Sequence, residues 1–184
     1  LHETEVYLLR KHCKWDRYQI LQCYMVFGGI PFYLSLINAK ESLVQNVDRL
    51  FFAQGGIMRS EFDELYNALF SNADLYISVV KGLAAHHDGM SREEISKATG
   101  ITGGTLTRVL TNLERCDFIS RNQNFAHKVK DTIYRLVDFY TLFYYKFILS
   151  DVSGDEQWWS HHFESRQVST WQGLTFEIVC LMHT

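Results

Sequence analysis

Ser91-Arg92-Glu93-Glu94-Ile95-Ser96-Lys97-Ala98-Thr99-Gly100, followed by Ile101-Thr102-Gly103-Gly104-Thr105-Leu106-Thr107-Arg108-Val109-Leu110-Thr111-Asn112-Leu113-Glu114-Arg115, decides the fold. Ser91 and Glu94 have the spacing of a capping box, in which each side chain satisfies the other's orphan backbone N–H. They open a short helix, and Gly100 closes it. Thr102 is placed to cap the next helix. In that helix Leu106, Val109, Leu110 and Leu113 share one face, because residues three and four apart lie side by side. Two short helices with a tight turn between them have the geometry of a helix-turn-helix.

The flanks extend the pattern. Upstream, residues 74–84 read as a helix with Leu75, Val79, Val80 and Leu83 inward, ended by the turn His86-His87-Asp88-Gly89. Downstream, Phe118-Ile119 starts a strand, residues 120–131 are polar with no helical stripe, and Thr132 to Val137 alternates with β-branched residues, as a second strand does. Three helices, a strand, a loop and a strand make a winged helix-turn-helix over 72–138. Its third helix is the expected recognition helix and 120–131 the wing.

Further out, the chain reads as helical. Residues 3–12 and 16–26 form helices, and Gly28-Gly29-Ile30-Pro31 ends the second and opens a short one through Leu36. Ser42 and Gln45 cap a helix over 43–52, which Gly55-Gly56 ends. Phe62, Leu65, Tyr66, Leu69 and Phe70 make another helical stripe. On the C-terminal side, Phe139 to Leu149 reads as a buried helix, Asp151 to Glu156 as an acidic loop, and about 170–182 as a final helix. The fold class is therefore mainly α, in three parts: 1–71, 72–138 and a helical tail over 139–184.

Composition agrees. The 184 residues hold one proline, Pro31, but 13 Phe, 10 Tyr and 4 Trp. Scarce proline suits long helices, and the aromatic load needs a large core or interface. No run approaches the ~18 apolar residues of a membrane span. The net charge of -3 does not mark the whole chain as a nucleic-acid binder. Only 72–138 has a basic excess, with 9 basic and 8 acidic residues. Cys13, Cys23, Cys116 and Cys180 have no metal-type spacing, so they read as reduced, mostly buried thiols of a cytoplasmic protein. His86-His87 and His161-His162 are adjacent pairs that point apart on a helix, so no metal site is expected. The start at Leu1 and the apolar close from Phe176 to Met182 read as a piece of a longer protein.

Several stretches, in order, resemble a prokaryotic AAA+/STAND-type ATPase family. These are Tyr24-Met25-Val26-Phe27-Gly28-Gly29-Ile30-Pro31-Phe32-Tyr33-Leu34, the Glu61 to Phe70 stripe, the capped helix-turn-helix, Tyr134 to Tyr144, and Trp171-Gln172-Gly173 with Phe176-Glu177. The resemblance implies a helical lid over 1–71, the winged helix, and the start of a restriction-endonuclease-like domain. It implies a P-loop domain elsewhere in the same protein, with ATP and Mg as that parent's cofactors. The 184 residues contain no G-x-x-x-x-G-K-[ST] and no Walker B strand, so they carry no ATPase catalysis alone.

Four sets of residues follow as candidates. Gly28, Gly29 and Pro31 are a nucleotide-sensing turn by resemblance, or a plain junction between helices. Thr105, Arg108, Thr111, Asn112 and Arg115, with Arg121, Lys128 and Lys130 of the wing side, are candidate DNA contacts. From 101 to 135 there are 6 basic and 3 acidic residues, and Glu114, Asp117 and Asp131 oppose phosphate binding. By the same resemblance, Glu177 is the one residue where a nuclease-like site would begin, a remnant that has no catalytic meaning without that site's other carboxylates and lysine. Trp158, Trp159 and Trp171 are expected to pack the tail against the winged helix or a following domain. The other function classes left open are a winged-helix transcriptional regulator and a protein-interaction or oligomerisation scaffold.

Overall fold

A computed structural model describes residues 1–123 and 132–183. The chain is mainly helical, with one small three-stranded antiparallel sheet. It divides into two compact units, residues 1–61 with 147–184, and residues 62–146.

The first unit begins with α1 (His2–Arg10) and α2 (Arg17–Phe27). Asp16 and Gln19 form a reciprocal capping box at the start of α2. Gly28 ends α2 with φ +64, in the left-handed region where only glycine sits without strain. Pro31 then opens α3 (Pro31–Ser35), where its fixed φ suits a first turn and its missing N–H costs nothing. The expected box of Ser42 and Gln45 is present on α4 (Leu43–Val47). The helix expected over 43–52 changes pitch at Asp48, and Asp48–Phe52 form a π-helical turn.

Polar side chains hold this unit's loops. The amide of Asn46, fully buried, accepts from the Asn38 backbone N–H at 2.7 Å and donates to the carbonyls of Asn38 and Ser42. Arg49 reaches the Leu36 carbonyl at 3.1 Å and the Glu41 carboxylate at 2.9 Å. Burial opposes ionisation of Glu41, but hydrogen bonds from Arg49 and Asn38 outweigh it and hold the carboxyl below its usual value.

The C-terminal helices complete the unit. They are α10 (Trp158–His162) and α11 (Arg166–Met182). The tryptophans find their packing here. Trp159 and Trp171 stand edge-on to Phe147 at 5.2 and 5.3 Å, and Trp158 stacks on Phe52 at 5.3 Å. The last helix starts earlier than its apolar pattern implies, because the Ser165 hydroxyl accepts from the Val168 N–H and caps it.

Helix α5 (Ile57–Leu69) crosses the division. Its buried stripe is narrower than the five residues expected. Phe62, Tyr66 and Phe70 are buried, whereas Leu69 is 49% exposed. The buried rings follow one another, with Phe62 and Tyr66 4.7 Å apart and Tyr66 and Phe70 6.0 Å apart.

The second unit continues with α6 (Ala73–Ala84), β1 (Met90–Ser91), α7 (Arg92–Thr99), α8 (Gly103–Arg115), β2 (Ile119–Gln123) and β3 (Thr132–Leu136). The sheet order is β1-β3-β2. Two features differ from the sequence expectation. Met90 and Ser91 pair with Tyr134 and Ile133, so a strand precedes the capping box. Residues 120–123, expected in a loop, belong to β2 and pair with β3 as far as Gln123↔Thr132.

Gly89 makes the β1 pairing possible. Its φ is +85, and a Cβ there would lie 2.6 Å from both the Ile133 Cγ2 and the Tyr134 carbonyl oxygen. In α6 the inward aromatic is Tyr76, stacked on Phe70 at 3.8 Å, while Leu75 is only half-buried. The expected Phe139–Leu149 helix is α9 (Phe139–Phe143), capped by Asp138, followed by a π-helical turn over Tyr144–Ile148. Leu149 lies outside that turn and is exposed. Deep in this unit the Tyr66 hydroxyl meets the Thr141 hydroxyl at 3.2 Å.

All four cysteines are free thiols. Cys13 and Cys23 are buried, as expected, but Cys116 and Cys180 are exposed. Among the described residues, no helix is long and apolar enough to cross a membrane.

Candidate nucleic-acid interface

The interface is built from α7 upward. The Ser91–Glu94 box forms as expected: the Ser91 N–H donates to Glu94 at 2.7 Å and the Glu94 N–H to the Ser91 hydroxyl at 3.2 Å. Hydrogen bonding of its carboxyl, first by the Ser91 backbone N–H and then by the Ser91 side chain, holds Glu94 below its usual value. Gly100 ends α7 with φ +73, which turns the chain toward α8. Thr102 occupies the N-cap position of α8, but its side chain makes no capping bond, contrary to the sequence expectation.

Helix α8 has two sides. Leu106, Val109, Leu110 and Leu113 are all buried, as expected. Thr105, Arg108 and Arg115 are exposed, and Thr111 and Asn112 are half-buried. Asn112 turns inward, and its amide donates to the Tyr76 hydroxyl of α6 at 2.8 Å. Its donor is therefore engaged within the fold. Arg121 projects from β2, exposed, 3.6 Å from the Glu114 carboxylate. An exposed pair of that length contributes only about 0–1 kcal/mol, so Arg121 can exchange Glu114 for a phosphate at small cost. Lys128 and Lys130, with Asp131, lie outside the described residues.

Three residues shape this surface without a signal in the local sequence. Arg92, first in α7, donates to the Gly103 carbonyl at 2.8 Å and the Thr107 hydroxyl at 3.0 Å. Thr107 itself donates to the Gly103 carbonyl at 3.2 Å. Tyr76 holds Asn112 from the other end. The Arg92 and Tyr76 links span 11 to 36 residues of chain, and no local periodicity signals them.

The other candidates lie in the first unit. Gly28 is buried at the end of α2, and a Cβ on it would meet nothing within 4 Å, so its backbone φ is the reason for glycine. A Cβ on exposed Gly29 would make only ordinary contact, 3.5 Å from Thr4 and Tyr24. Pro31 is exposed at the start of α3. Glu177 is exposed on α11. His162 binds the Trp158 carbonyl and His161 the Asp155 carboxylate, and in the second unit His86 binds the Gly82 carbonyl, so each engages a ring nitrogen locally. Among the described residues, no three His, Cys, Asp or Glu side chains are grouped to hold a metal ion.

No family model, curated protein or solved structure matches the chain.

Proposed function

We propose that residues 72–138 act as a winged helix whose recognition helix, α8, contacts the phosphate backbone of duplex DNA. The observation that carries this reading is the two-sidedness of α8. Its apolar face is buried, whereas Thr105, Arg108 and Arg115 are exposed, as is Arg121 on β2. Arginine and threonine are suited to phosphate oxygens, and three cations fit modest, salt-sensitive binding. The negative overall charge argues against a dedicated high-affinity regulator.

The resemblance to AAA+/STAND-type ATPases supports the wider setting. In it, residues 1–71 are the lid of a P-loop domain that binds ATP and Mg. Gly28, Gly29 and Pro31 lie against the nucleotide, and nucleotide state governs presentation of α8. Glu177 is then the leading edge of a nuclease-like domain. Calorimetry on a longer chain that includes the P-loop domain tests this, and absence of ATP binding there overturns it. A second reading is contact with a protein partner. The exposed Leu174, Phe176, Leu181 and Met182 on α11 favour it. Light scattering tests self-association, and a monomer at high concentration excludes the homo-oligomer.

A further inference from the structure

We infer that Thr107 and Tyr76 are positioning residues for the DNA-contacting face of α8; this rests on the proposed DNA contact. The helix is not secured by its own cap, since Thr102 contributes no side-chain bond. Its first residue, Gly103, has φ +58, and neither Gly103 nor Gly104 has a side chain to pack. A first turn built this way frays unless something outside the helix holds it.

Arg92 supplies that hold. Its guanidinium joins α7 to the Gly103 carbonyl and the Thr107 hydroxyl, and Thr107 closes the triangle onto the same carbonyl. An arginine so close to a helix N-terminus works against the helix dipole. The arrangement is therefore a mechanical link, made at some electrostatic cost. The last turns are held in the same manner from α6, where the Tyr76 hydroxyl accepts the Asn112 amide. Tyr76 is itself fixed by its stack on Phe70, at 3.8 Å and 8° between ring planes.

The two links lie either side of Arg108, with Thr105 beside the first and Arg115 beside the second. Thr107 and Tyr76 carry no charge, so they set where the cations point without adding to them. Two neutral-for-neutral changes isolate the effect. Thr107→Val removes the hydroxyl at constant shape. Tyr76→Phe removes only the phenolic oxygen and keeps the stack.

Anisotropy titrations of the 184-residue chain against a fluorescent 20-base-pair duplex, over a series of salt concentrations, provide the test. Each variant is expected to weaken binding about fivefold, as one lost hydrogen bond does. The slope of log affinity against log salt is expected to stay as in wild type, because no phosphate contact is lost. Thr107→Ser is expected to restore affinity. Hydrogen exchange on the free protein is expected to quicken in the first turn of α8 for Thr107→Val and in its last turn for Tyr76→Phe. Wild-type DNA binding with both variants unchanged in affinity overturns the inference, and so does a salt slope lowered by about one. If wild type does not bind DNA, the proposed function fails, and the inference fails with it as a statement about DNA. Hydrogen exchange then still decides whether the two links hold α8.

Discussion

The carboxylate of Asp48 accepts the backbone N–H of Trp159 at 2.9 Å, across 111 residues of sequence. The N–H and hydroxyl of Ser160 point to the same carboxylate, so one buried side chain ties the π-helical turn to the start of α10. Asp48→Ala leaves those N–H groups without an acceptor, and a buried unsatisfied donor costs about 1–3 kcal/mol. Chemical denaturation is expected to show a loss of that size.

The same carboxylate makes stability depend on pH. Burial raises the Asp48 carboxyl above its ordinary 3.8, and the hydrogen bonds from Ser160 and Trp159 only partly offset this. The folded chain therefore holds the proton more tightly than the unfolded chain. That contribution is fully present below 3.8 and is lost as pH rises through the raised value. Melting temperatures of wild type and Asp48→Asn are expected to differ more in favour of wild type at about pH 3 than at about pH 7. An unchanged difference contradicts the assignment.

Gly89 and Gly100 are both left-handed but for different reasons, and alanine separates them. Gly100→Ala meets nothing within 4 Å and carries only the backbone term, about 1–2 kcal/mol. Gly89→Ala carries that term and must also displace Ile133 and the Tyr134 carbonyl. Urea denaturation is expected to rank Gly89→Ala well below Gly100→Ala, with the pairing of Met90 to Tyr134 lost first in hydrogen exchange.

Ser91→Ala removes one half of the capping box and is expected to cost about 1 kcal/mol at neutral pH. The other half, Glu94, is held below 4.5 by its bonds to Ser91, so its contribution is present above that value and fades as pH falls through the lowered one. The gap between Ser91→Ala and wild type is expected to narrow toward about pH 3, as thermal melts at two pH values can read. In the core beneath, Leu113→Ala is expected to cost about 2–5 kcal/mol, because Leu113 is fully buried.

What is legible in the sequence is local. The Ser91–Glu94 and Ser42–Gln45 boxes, Gly100 at the end of α7 and the leucine–valine face of α8 each depend on residues within a few positions, and each has the geometry its spacing implies. Strand β1 is not legible, since two residues cannot show alternation and its existence depends on Gly89 meeting β3. The bond from Trp159 to Asp48 joins residues 111 positions apart, and the packing of Trp159 and Trp171 on Phe147 joins three separate helical elements, which no periodicity encodes. Of the candidate interface, Thr105, Arg108 and Arg115 are legible as one exposed face. Asn112 is not, because its partner Tyr76 is 36 residues away.

The most direct measurement of the central claim is an anisotropy titration of the 184-residue chain with duplex DNA at low salt, wild type beside Arg108→Ala/Arg115→Ala. The account predicts saturable binding with a dissociation constant of about 10⁻⁶–10⁻⁴ M, steeply weakened by salt and lowered in affinity at least tenfold by the double substitution. No binding by wild type at low salt, or equal binding by the double variant, contradicts it.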